Sequence, residues 1–190
     1  MKRLLPLVAV LLSGCFFEVN SLNPFYTEST RVTFPDVTGE WDITQETRTD
    51  VQRRITSTWV ITGDGSYRAR RYEESGPGDT VMVFFRVNDR LYCDWQDEGR
   101  RFHHLYQVTL TNKVLALGGL DGEWLTNAIA RQEVNLPAPE RDRQSNLVFT
   151  ATSLQWNAFL GEHGTNASAF GESVVLQRSP TANFAPLRRK

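Results

Sequence analysis

The 190-residue sequence predicts a mainly β fold with two late α-helices, an α+β arrangement built on an antiparallel up-and-down barrel. Three observations carry that expectation. Short segments with alternating apolar residues follow one another from residue 39 to residue 117, with short connections between them. Two later stretches, near 121–132 and 153–163, change to the apolar spacing of helices. A final strand-like segment at 173–177 comes late enough to return beside the first, and closure would remove the exposed edges of an open meander. The competing architecture is a β-sandwich with added helices.

Taken in order, the chain begins with Lys2 and Arg3 ahead of an apolar run at residues 4–12. A spanning helix needs ~20 apolar residues, so this run reads as the core of a signal peptide, residues 1–14. Leu11-Leu12-Ser13-Gly14-Cys15 has the form of a bacterial lipobox. That form implies a diacylglycerol on the Cys15 thiol and cleavage just before it. The alternative, an ordinary signal-peptidase site with Cys15 a bystander, fits an Ala-x-Ala pattern that is missing here. Acyl chains on Cys15 would hold the protein to a membrane, each buried methylene contributing ~0.8 kcal/mol. Phe16 stands where an inner-membrane retention signal carries Asp. Resemblance to Gram-negative lipoproteins then implies the outer membrane, facing the periplasm, for a Gram-negative source.

Cleavage before Cys15 would leave 176 of the 190 residues, suited to one domain with a real core. Without Lys2 and Arg3 the chain carries 19 cations against 22 carboxylates, which excludes the strongly basic footprint of nucleic-acid binding. Of the two cysteines, lipidation of Cys15 leaves Cys93 without an intrachain partner. Cys93 alternates with Leu91 and Trp95, the placement of a small buried hydrophobe.

Residues 15–36 read as the lipidated cysteine and a tether, with Asn23-Pro24 as a turn and Phe25, Tyr26 and Phe34 touching the fold. The domain spans 37–178, with strands expected at 39–46, 55–61, 67–73, 81–87, 91–96, 102–111 and 114–117. Residues 75–79, Ser-Gly-Pro-Gly-Asp, read as a break between strands. Asp121 can cap the first helix, and Thr152 or Ser153 the second, which Gly164 ends. A strand at 147–150 lies between them. The tail at 179–190, with two prolines and a basic end, reads as disordered.

Gly39-Glu40-Trp41 at the head of the first strong strand resembles the G-x-W element of lipocalins. The resemblance implies that Trp41 closes the barrel floor and that Arg178, at the end of the last strand, packs over its indole face. Unlike lipocalins, this chain has helices on both sides of its penultimate strand and lacks their common disulfide. Ser21-Leu22-Asn23-Pro24-Phe25-Tyr26-Thr27, Val37-Thr38-Gly39-Glu40-Trp41, Leu120-Asp121-Gly122-Glu123-Trp124-Leu125, Leu147-Val148-Phe149-Thr150-Ala151 and Ala169-Phe170-Gly171-Glu172 together resemble a group of bacterial lipoproteins without an assigned activity.

The chemistry-bearing residues are sparse. His103 and His104 are adjacent in a strand and point to opposite faces, while His163 ends a helix, so no metal site is expected. Asp94, Asp97 and Glu98 surround a turn, where acids accumulate for conformational reasons, though paired carboxylates could also serve glycoside hydrolysis. Arg68 and Arg70 share a strand face and Arg71 takes the other; a solvated face interleaved with acids accounts for them better than an anion patch. Trp41, Trp59, Trp95, Trp124 and Trp156 each sit in phase with apolar neighbours, which places most of them in the core. The reading is a non-catalytic envelope lipoprotein without a cofactor, binding a small apolar or amphipathic ligand in the barrel. A structural or assembly role through protein contacts, with a barrel packed solid by Trp59, Phe85 and Trp95, is the alternative.

Overall fold

Eight antiparallel strands close on themselves in a computed structural model that describes residues 19–180 apart from 34, 46–53, 64, 74 and 75. The barrel strands are β2 (Gly39–Gln45), β3 (Arg54–Thr62), β4 (Tyr67–Glu73), β5 (Gly76–Val87), β6 (Arg90–Asp97), β7 (His104–Leu110), β8 (Val114–Leu120) and β11 (Phe170–Arg178). Each pairs with the next in sequence, and β11 lies between β8 and β2 to complete the ring. Outside it sit β1 (Asn20–Ser21), β9 (Glu140–Arg141) and β10 (Leu147–Phe149), a small sheet in the order β1-β10-β9, with α1 (Gly122–Ala130) and α2 (Ser153–His163). The architecture is the lipocalin-like, mainly β barrel with two late helices that the sequence predicts.

Alternation along the strands sorts side chains into two cores. Inside the barrel, Trp41, Tyr67, Met82, Phe84, Cys93, Leu115 and Leu176 are wholly enclosed. On the outer wall, Phe85, Tyr92 and Leu105 meet Leu125 and Ala128 of α1 and Trp156, Phe159 and Leu160 of α2. The helices therefore flank the barrel. Phe85 belongs to this outer core, because Phe84 opposite Cys93 takes the inward position and a strand cannot turn both neighbours inward. It does not fill the barrel.

Local chemistry sets the turns and helix ends. Gly63, at φ +125°, closes the β3–β4 turn where a Cβ would lie 2.7 Å from the Ser66 carbonyl oxygen. Asp121 caps α1 by accepting from the Glu123 and Trp124 amides, and the helix stops at Ala130, before Gln132 turns to φ 60°. Thr152 and Gln155 form a reciprocal capping box at the start of α2. Residues 76–79 are not a break. They extend β5, with Pro77 opposite Tyr72 and Gly78 opposite Arg71.

The tether reading of residues 15–36 gives way from Val19 onward. Asn20–Ser21 pairs in parallel with β10, Ser21 bridges to His103, and Phe25 is wholly buried. Farther along, Arg31 bridges to Phe85, where β5 runs on beyond its last pairing with β4 at Met82. The expected signal peptide, Cys15, the rest of the stretch up to residue 18, Phe34 and the tail from residue 181 lie outside the described residues.

Candidate functional site

The two ends of the barrel are built differently. At one end a short 3-10 turn, Pro35–Val37, lies under the first barrel strand, and the Trp41 Nε1 donates to the Val37 carbonyl at 2.8 Å. The Arg178 guanidinium stands 4.4 Å from the centre of the Trp41 ring, the arrangement that the lipocalin resemblance implies. It donates to the carbonyls of Thr38, Asn112 and Asp36, so one side chain ties the lead-in to β2 to the β7–β8 turn. This end is sealed by its own side chains.

The opposite end carries the polar groups of the interior. Arg71 of β4, Thr80 of β5 and Trp95 of β6 all reach one carboxylate oxygen of Asp97, at 3.1, 2.8 and 3.1 Å. Burial pushes the Asp97 carboxyl up, but the Trp95 and Thr80 hydrogen bonds and the Arg71 and His104 charges outweigh it and hold the group below its ordinary value. Gly78 makes room for Arg71: a Cβ there would lie 3.1 Å from its Nη2. The Arg71 Nε is buried with no acceptor among the described residues.

An aromatic shelf lies beneath. Trp59 and Trp95 meet edge to face at 4.9 Å, Tyr106 stands 5.5 Å from Trp95, and the Trp59 Nε1 donates to the Ser57 hydroxyl. Arg71 also lies 5.6 Å from the Trp95 ring. This end thus combines a guanidinium and a carboxylate with packed aromatic rings, of which Trp59 and Trp95 are each only 5% exposed.

The other candidate residues are dispersed. Asp94 is on the outer wall, where it accepts from the Phe25 amide and shares a 2.8 Å contact with the His103 Nδ1. Asp97 faces inward and Glu98 pairs with Arg68 outside, so the three acids flank no common cleft. Arg68 and Arg70 face out, paired with Glu98 and Asp79, as a solvated charged face. His163 stacks on Phe159 at 5.4 Å near the end of α2. Among the described residues no three metal-ligating side chains converge. Cys93 is wholly enclosed; burial, then the neighbouring Asp94 charge, pushes its thiol well above the ordinary value, the opposite of what a nucleophile needs.

Sequence reading misses the grouping of Arg71, Thr80 and Asp97. A signal was present: Tyr67, Ala69 and Arg71 share the inward parity, so an apolar face ends in a cation. It also misses Ser21, whose hydroxyl accepts from the Trp156 indole at 3.0 Å, because nothing local distinguishes that serine. Compared with family models, with curated proteins and with solved structures, the chain matches none.

Proposed function

We propose that this chain is a non-catalytic bacterial envelope lipoprotein, held to the membrane by acyl chains on Cys15, that receives a small apolar or amphipathic ligand at the Arg71–Asp97 end of its barrel. The observation carrying the reading is the Arg71 guanidinium above the Trp59–Trp95–Tyr106 shelf. Its Nε is buried without an acceptor, and a buried unsatisfied donor costs ~1–3 kcal/mol unless something accepts from it. A ligand carbonyl or carboxylate at that point would relieve the cost. Trp41, Tyr67, Met82, Phe84 and Leu115 fill the interior, so the ligand would sit at the barrel end and not in a deep calyx.

That filling favours a second reading, a structural or assembly lipoprotein acting through protein contacts. Native mass spectrometry of the detergent-extracted protein separates the two. A copurifying small molecule that is lost in Arg71→Met, with the circular dichroism spectrum unchanged, supports the ligand reading. A protein without adduct, whose melting temperature no fatty acid or lysolipid changes, supports the second.

A further inference from the structure

Away from the barrel mouth, a cavity of about 490 Å³ separates α1 from the small outer sheet. It falls in the size range of small-molecule sites, ~300–1,000 Å³. Leu147 and Phe149 supply its apolar lining, Asn20, Thr126 and Asn146 its neutral polar groups, and Arg141 and Glu123 its opposite charges. Arg141 is held in place by donating through Nη1 to the Ser145 carbonyl at 2.8 Å, which leaves further N–H groups of its fork for a ligand. No ion pair joins Arg141 to Glu123 among the described residues, although both line the same space.

The position of this cavity matters as much as its chemistry. Asn20 forms part of its wall, and Val19 before it is buried in the outer core. Only four peptide steps separate Val19 from Cys15, and a fully extended chain covers ~3.3–3.6 Å per residue. Cys15 can therefore lie no more than roughly 14 Å from Val19. A bilayer holding the acyl chains of Cys15 is confined to the immediate neighbourhood of this cavity.

We propose that the cavity binds the zwitterionic headgroup of a phospholipid in the leaflet that anchors the chain, with Arg141 receiving the phosphate and Glu123 the ammonium. This rests on the lipid-anchor reading of Cys15. One cation and one carboxylate in a single site match a zwitterion, whereas a simple anion would meet the Glu123 charge. The domain then rests on the membrane through α1 and the outer sheet, with an orientation set by the short tether and the headgroup together.

The test uses the full mature chain purified from membranes, with its intact mass measured first. In nanodiscs of phosphatidylethanolamine with phosphatidylglycerol, amide hydrogen exchange at 122–127 and 140–147 is expected to slow about fivefold relative to discs of phosphatidylglycerol alone, whose headgroup is a simple anion, a change of ~1 kcal/mol in opening. Glu123→Gln and Arg141→Gln should each remove that difference, and because both side chains are exposed the fold is retained. Equal exchange in the two lipids, or protection that survives both variants, overturns the proposal.

A second arm needs no anchor. Glycerophosphoethanolamine added to the Cys15→Ser chain produced without residues 1–14 should shift the amide resonances of Thr126 and Asn146, with inorganic phosphate producing no shift. Equal shifts with phosphate, or none with either probe, also refute the headgroup assignment. An intact mass without acyl chains, by contrast, refutes the anchor reading by itself, and the soluble arm still decides whether the cavity takes the headgroup.

Discussion

Single side chains in this protein can be judged by whether their polar atoms are satisfied. Tyr92 is wholly buried between Phe85 and Phe170, and its hydroxyl meets no hydrogen-bond partner among the described residues. Tyr92→Phe removes that burden and keeps the ring contacts. Urea denaturation should show the variant more stable by ~1 kcal/mol; a loss of stability would mean that the hydroxyl is satisfied. Asp97 is the opposite case. Its carboxyl is held below the ordinary value, so its charge stabilises the fold above the unfolded value near ~4 and ceases to do so as pH falls through the lower, folded value. The melting temperature of Asp97→Asn should therefore lie below that of the wild type at pH 6, with the gap closing below pH ~4. A gap constant from pH 6 to pH 3 would assign the loss to hydrogen-bond geometry alone. Residue-level legibility was uneven: the inward parity of Arg71 could be counted from the strand, but its meeting with Thr80 and Asp97 needs three strands in register.

Among the elements, α2 shows how far local signals reach. Thr152 and Gln155 announce its start, and their reciprocal bonds form the cap. Thr152→Ala should cost ~1 kcal/mol in chemical denaturation, since Thr152 is exposed and loses only its capping role. Gly164 at its other end has a different cause. Its φ of −60° is ordinary, yet a Cβ there would stand 2.2 Å from the Tyr92 hydroxyl and 2.5 Å from the Leu160 carbonyl oxygen. Gly164→Ala should be the more damaging change, by ~1–3 kcal/mol, because the helix end must move off the barrel wall. If the two variants melt alike, the close approach at Gly164 has no energetic consequence. The glycine can be read as a helix stop in the sequence; the tyrosine that requires it is 72 positions away and could not be.

For the molecule as a whole, the lipobox reading of Cys15 is the claim with the widest consequence. Cys15→Ser should yield a precursor that is neither acylated nor cleaved before residue 15, which mass spectrometry of the membrane fraction would detect. The folded domain should persist in that variant, since the first described residues are held by their own hydrogen bonds to β10 and to His103. Normal processing of the variant would remove the lipobox reading and, with it, the confinement of the outer cavity to a membrane.

The sequence by itself determined the eight barrel strands in outline, the two helices with their caps, and the late strand that closes the barrel. These rest on periodicity and on hydrogen bonds between residues a few positions apart, which a linear reading can count. Trp41 and Arg178 were legible only through a family resemblance, since nothing local links positions so far apart. Tertiary structure alone decided that Phe85 faces outward, that residues 19–33 belong to the domain, and that Arg71 and Asp97 share one end while Arg141 and Glu123 share a cavity. Each of these depends on register between distant segments, and a strand's faces exchange roles with a shift of a single residue. That choice is made by the packing of the whole chain.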